Sequence, residues 1–156
     1  MKELLQGATV AQGKLSGRAL GSGSFGWPDL SYDGKQILFV WGIQIFAFDL
    51  DSSAPDRLRQ LTDDGFDDLD PVWLPNGRIV FISTRVKLTV RCNFGPATRQ
   101  AVLHSMKPDG TDQVRISFHE TNERYPSVDN DGRLIYMRWD YIDRDFSAAH
   151  NLWVCN

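Results

Sequence analysis

Three recurrences of one pattern (X-Pro, a short half-apolar stretch, a turn ending in Gly, an apolar run) predict an all-β fold: a partial β-propeller of four-stranded antiparallel blades. The segments are "WPDLSYDGKQILFVW" from Trp27, "DPVWLPNGRIVFIST" from Asp70 and "YPSVDNDGRLIYMRW" from Tyr125. Pro28, Pro71 and Pro126 are 43 and then 55 residues apart, as are Gly34, Gly77 and Gly132; propeller blades repeat at roughly 40 to 45 residues. The runs after the turns are long enough for strands, too short for helices, and rich in branched and aromatic residues.

The elements follow in order. Asp33-Gly34, Asn76-Gly77 and Asp131-Gly132 are hairpin signals, because Gly and Asn or Asp tolerate the positive φ that matches strand twist. They join an innermost strand to "QILFVW", "RIVFIS" and "RLIYMRW", runs expected to be buried on both faces. Third strands are read in "IQIFAFDL" (43–50), "AVLHSM" (101–106) and "NLWVCN" (151–156), with visible alternation. Fourth strands are read in "RLRQLT" (57–62) and, after the type I turn signal Lys107-Pro108-Asp109-Gly110, in "DQVRIS" (112–117). The expected division is one partial propeller domain over 1–156: a trailing strand of a preceding blade in 1–26, blades at 27–62 and 69–117, and a third at 124–156 that stops inside its third strand. It reads as a piece of something longer, with unclosed blade edges open to self-association.

Composition narrows the function classes. The chain of 156 residues is 42% hydrophobic and 24% charged, as in an ordinary globular domain. Its net charge of -3 provides no basic stripe, which speaks against nucleic acid as a partner. No run approaches the roughly 20 apolar residues of a membrane span, and "MKELLQGATVAQGKL" lacks the apolar core of a signal peptide. Two cysteines, Cys92 and Cys155, form neither a C-x-x-C pair nor a C-x-x-C-H haem attachment. No cofactor is expected in this chain.

The repeats "PDLSYDGKQILF", "WLPNGRIVFIS" and "PSVDNDGRLIY" resemble those of TolB-like propellers built from Pro-Asp-type repeats. The longer blocks "LHSMKPDGTDQVRISFHETNERYPSV" and "YMRWDYIDRDFSAAHNLW" resemble the middle propeller domain of the hydrazine synthase alpha subunit and its uncharacterised relatives, over about 15–156. That resemblance implies a large exported, periplasmic multidomain bacterial protein in which other domains hold c-type haem. Haem c or zinc is then a cofactor of the parent protein, and its other domains are the partners. Where those relatives tend to carry an aromatic residue and a His before the third proline, this chain has Arg124 and Tyr125.

Candidate sites fall on one face. The loop between second and third strands lies at the end of the blade where the chain enters its innermost strand. His119, Glu120 and Glu123 therefore share a face with Asp140, Tyr141, Asp143, Arg144 and His150 of "DYIDRDFSAAH". Imidazole with carboxylates suits a metal ion or acid/base work; the alternative is a structural network in which Arg138, Arg144 and the acids pair with one another. The metal is unspecified, and no residue is assigned a catalytic role. The longer loop "TRVKLTVRCNFGPATRQ" carries Arg85, Lys87, Arg91, Cys92 and Arg99, and is read either as a binding feature or as a cover for a neighbouring blade. Clustered carboxylates in "DDGFDDLDP" lack EF-hand spacing and read as a loop whose Asp side chains satisfy turn amides. "GSGSFG" precedes Trp-Pro and a hairpin rather than a helix, so it is no dinucleotide fingerprint.

Two functions follow. The first is a non-catalytic interaction module that binds a partner domain or ligand through one loop face. The second is a wall of a haem-dependent oxidoreductase resembling hydrazine synthase.

Overall fold

The structure is a computed structural model that describes residues 4–51, 56–90, 99–140 and 149–156. Its strands form three antiparallel sheets. Blade 1 is β1 (Phe25–Leu30), β2 (Gln36–Trp41), β3 (Gln44–Asp49) and β4 (Leu58–Gln60), in that order. Blade 2 is β5 (Asp68–Trp73), β6 (Ile79–Ser83), β7 (Val102–Met106) and β8 (Val114–Arg115), ordered the same way. Blade 3 contains β9 (Glu123–Val128), β10 (Leu134–Trp139) and β11 (His150–Cys155). β1 packs beside β5 and β5 beside β9, so the first strand of each blade is innermost. This is a partial β-propeller.

The hairpins form where the Asp-Gly and Asn-Gly pairs stand, but only the glycine takes a positive φ: 71° at Gly34, 81° at Gly77 and 81° at Gly132. In blades 2 and 3, Gly77 N donates to Leu74 O and Gly132 N to Asp129 O, with the glycine closing a three-residue loop. The acid before Gly stays out of the left-handed region. Instead, short side chains accept from amides across the turn, as Asn76 Oδ1 does from Arg78 N and Asp129 Oδ1 from Arg133 N. Gly110, at φ 86°, ends the Lys107–Gly110 turn, and a side chain there would meet the Leu61 carbonyl of blade 1. The tip of blade 2 is thereby set against blade 1.

The recurring X-Pro dipeptide is a bulge. Trp27, Asp70 and Tyr125, each just before the proline, have φ of 50°, 52° and 52°, and the register against the second strand slips there in all three blades. Non-glycine residues at such φ are strained by about 1–3 kcal/mol. Fixed at the same place three times, this conformation bends each innermost strand in the same way.

Burial follows the blade interfaces. Leu38, Val40 and Ile45 of blade 1 meet Trp73, Ile79 and Phe81 of blade 2; Val80, Ile82 and Leu103 on the other face of blade 2 meet Leu134 and Tyr136 of blade 3. β6 is buried throughout, as expected of a second strand, and so is β7, where alternation was expected. A strand between two neighbouring blades has no solvent side. β10 alternates, because Ile135 and Met137 face away from blade 2 together with the exposed Leu152 and Val154 of β11.

Residues 4–24 carry no strand; Val10 makes a parallel bridge to Leu58 on the outer strand of blade 1. Ala8 and Val10 pack on Phe39, Phe46 and Phe48, so this segment covers the first face of blade 1.

Candidate functional site

Among the described residues, the side chains named on the loop face form a surface pair and a separate buried staple. His119 Nε2 lies 3.0 Å from Trp139 O and 3.7 Å from Asp140 Oδ1. Asp140 Oδ2 accepts from Asn151 Nδ2 and Trp153 Nε1, both at 3.1 Å. His150 stacks on the Trp139 ring, centroids 6.1 Å apart, and Glu120 is exposed. Tyr141, Asp143, Arg144, Arg91 and Cys92 lie outside the described residues. Among the described residues, no three His, Cys, Asp or Glu side chains converge as metal ligands.

Glu123 is fully buried and turned away from that pair. Its Oε1 accepts from Ser117 Oγ at 2.6 Å and from Arg138 Nη2 at 2.9 Å; its Oε2 accepts from Leu103 N at 3.0 Å. Ser117 and Leu103 belong to blade 2 and Arg138 to blade 3, so one carboxylate staples the two blades. The Arg138 guanidinium in turn lies near the rings of Tyr136 and Trp153, its Cζ 5.4 and 4.5 Å from their centroids. At the Leu103 N position blade 1 has Ile45 N, which donates to Thr62 Oγ1.

Glu123 has a counterpart in the other blades. Counting back from each proline, Glu123 aligns with Asp68 and Phe25. Asp68 is also fully buried, with both oxygens 3.0 Å from Arg85 Nη2. Arg85, read from the sequence as a loop residue, also pairs with Asp64 at 2.9 Å, donates to Ser83 Oγ and Gln113 Oε1, and lies over the rings of Phe66 and Phe81. A buried acid held by arginine at the mouth of the innermost strand is thus shared by blades 2 and 3. Alignment on the prolines was the signal that could have found it.

A second set of carboxylates crosses between innermost strands. Asp29 Oδ2 accepts from Trp73 N at 2.7 Å, and Asp70 Oδ2 from Tyr125 N at 3.0 Å. Burial raises the pKa of both above the ordinary carboxylate value, against the lowering effect of those amides. Asp70 is 4% exposed and its Oδ1 has no hydrogen-bond partner. Because its folded pKa is raised, Asp70 contributes stability that is complete below its unfolded pKa and is lost as pH rises through the folded value. The urea midpoint should therefore gain from this group between pH 7 and pH 4. Asp70→Asn, which retains an oxygen for Tyr125 N, should show a smaller gain than the parent chain; parallel pH profiles would contradict the assignment.

One polar concavity opens on the same loop face, between blades 2 and 3. Its volume is about 340 Å³, and it is lined by Asp67, Leu69, Ile82, Thr84, Arg99, Ala101 and Arg124. Arg99 is exposed and placed by the Thr89–Arg99 bridge and by Gln100 N donating to Leu88 O at 2.8 Å. Arg124 lies between the Glu123 staple and the amide of Tyr125. Sequence reasoning picked Arg99 but not Arg124, Asp67 or Thr84, which come from separate segments. A larger apolar cavity, about 660 Å³, lies elsewhere, between residues 4–22 and blade 1, and offers packing surface rather than polar chemistry.

Comparison with known proteins bears on the fold. No family model matches the chain, and no curated protein matches it. Among solved structures it is similar to TolB from Agrobacterium tumefaciens, with TM-score 0.60 and 20% identity, covering 78% of this chain and 41% of that one. It is also similar to TolB from Acinetobacter baumannii, with TM-score 0.60 and 18% identity over 83% of this chain and 29% of that one. A third neighbour is the tricorn protease, with TM-score 0.54 and 19% identity over 74% of this chain and 11% of that one. The fold is a TolB-like β-propeller, and the chain spans less than half the length of these neighbours. Among the described residues, no helix is long and apolar enough to cross a membrane.

Proposed function

We propose that the chain is a non-catalytic interaction module, part of a larger exported bacterial protein, that binds a partner domain or ligand through the face bearing its β2–β3, β6–β7 and β10–β11 loops. The observation that carries this reading is the division of labour on that face. Glu123 and Arg138 are consumed in joining blades 2 and 3, and Asp68 and Arg85 in closing blade 2, while the concavity beside them holds two arginines that make no ion pair among the described residues. Buried acids fully engaged with arginine and backbone amides are poorly placed to move protons. The similarity to TolB supports the fold; the periplasmic address belongs to the proposal and rests on the sequence blocks that resemble those of exported multidomain proteins. The alternative, a wall for haem held by other domains, rests on the quoted sequence blocks; a Cys-x-x-Cys-His motif in flanking sequence would favour it.

The apolar strip Ile135, Met137, Leu152 and Val154 has the register of Val80, Ile82, Leu103 and Ser105 in blade 2, which form a blade interface. We assign it to contact with a further blade or a second copy. Photo-crosslinking residues at Lys87, Leu152 and Asn76 test both assignments. Lys87 should capture a partner domain or protein, Leu152 another blade or a second copy, and Asn76, on the hairpin end, neither. Capture from Asn76 equal to that from Lys87 would overturn the loop-face reading.

A further inference from the structure

We propose that the concavity between blades 2 and 3 is a carboxylate-binding subsite, in which Arg99 and Arg124 clamp the carboxylate and Asp67 accepts from an N–H beside it, as at a peptide C-terminus. The proposal rests on the loop-face reading and names its ligand chemistry. Four facts support it. Arg78, Arg85, Arg133 and Arg138 each make an ion pair within 3.0 Å. Among the described residues, Arg99 and Arg124 have neither an ion pair nor a side-chain hydrogen bond, and Arg124 interacts only through space with buried Asp70. Both line one pocket whose floor is Leu69 and Ile82 and whose rim carries Thr84 and Asp67. Both sit on hydrogen-bonded backbone, Arg99 at the bridge to Thr89 and next to Gln100, whose N donates to Leu88 O, and Arg124 between Glu123 and Tyr125.

The charges decide the class of ligand. Among the described lining residues, two guanidiniums against one carboxylate leave one net positive charge, which matches a monoanion and disfavours a dianion such as phosphate. Guanidinium forks pair with the two oxygens of a carboxylate in plane, a geometry that lysine does not offer. Asp67 would repel a second negative group but suits an amide N–H next to the acid. The volume of about 340 Å³ is at the small end for ligand pockets, which begin at about 300 Å³. It fits a terminal residue or two rather than a folded surface, in the manner of terminal carboxylate capture.

Titration calorimetry on the full chain tests this with N-acetylglycylglycine, its C-terminal amide and inorganic phosphate. The free acid should bind, and the amide should bind at least about tenfold more weakly. Arg99→Gln and Arg124→Gln should each weaken the acid by about tenfold or more, with unchanged far-ultraviolet circular dichroism. Asp67→Asn should increase phosphate affinity by removing the repulsion. Equal binding of acid and amide, tighter binding of phosphate than of acid to the parent chain, or affinity unaffected by either arginine change would overturn the proposal. If these probes fail while Lys87 still captures a partner, the carboxylate subsite falls and the loop-face reading stands; loss of both removes the reading itself.

Discussion

Glu123→Ala is expected to destabilise the chain by about 3–5 kcal/mol, the range for removing one partner of a buried ion pair. The substitution strands the Arg138 guanidinium, whose side chain is 17% exposed, and orphans Leu103 N and Ser117 Oγ at the seam between blades 2 and 3. Whole domains are stable by only about 5–15 kcal/mol, so the loss is a large fraction of the total. Urea unfolding followed by tryptophan fluorescence reads it. Glu123→Gln keeps an acceptor for Leu103 N but loses the charge, and should cost less, about 1.5–3 kcal/mol. A change below about 1 kcal/mol for the alanine variant would mean that the staple contributes little. The same pair of variants bears on function, because a catalytic Glu123 would affect activity with stability intact.

Arg85→Ala is expected to cost a similar amount, about 3–5 kcal/mol at pH 7, by leaving Asp68 fully buried without its cation. Burial already pushes the Asp68 pKa above the ordinary carboxylate value, and the Ser83 hydroxyl and Arg85 oppose that push. Without Arg85 the folded pKa rises further, so the protonated form becomes the one that the fold tolerates. A raised folded pKa contributes stability below the unfolded value that is lost as pH rises through the folded one. The deficit of the variant should therefore be largest at pH 7 and shrink toward pH 5. Urea midpoints at the two pH values measure this, and an equal deficit at both would reject the mechanism. Arg85→Lys should not restore stability, because one ammonium cannot span both Asp68 oxygens and Asp64 while lying over Phe66 and Phe81.

Both variants probe residues whose surroundings the sequence disclosed unevenly. The shared face of His119 and Asp140 could be read before any coordinates, because strand alternation alone fixes which loops lie at which end of a blade. The split between that surface pair and the Glu123 staple could not. Whether a carboxylate at the mouth of a strand faces solvent or the neighbouring blade depends on packing, and Ser117, Leu103 and Arg138 reach Glu123 from three different segments. Arg85 looked like one of several cations on a long loop for the same reason: Asp68 lies 17 positions earlier, and only the sheet brings the two together.

The sequence by itself determined the blades. Pro28, Pro71 and Pro126, the glycines at 34, 77 and 132, and the branched runs after them act within a few residues, through fixed φ, tolerance of the left-handed region and the two-residue strand period. Such signals are local and survive without knowledge of neighbours. Tertiary structure alone decided that Trp27, Asp70 and Tyr125 are left-handed bulges, that Val10 lies along Leu58, and that Arg99 and Arg124 line one concavity between blades 2 and 3. Those outcomes depend on which faces desolvate together, a balance of burial and ion pairing summed over distant segments that no local pattern records.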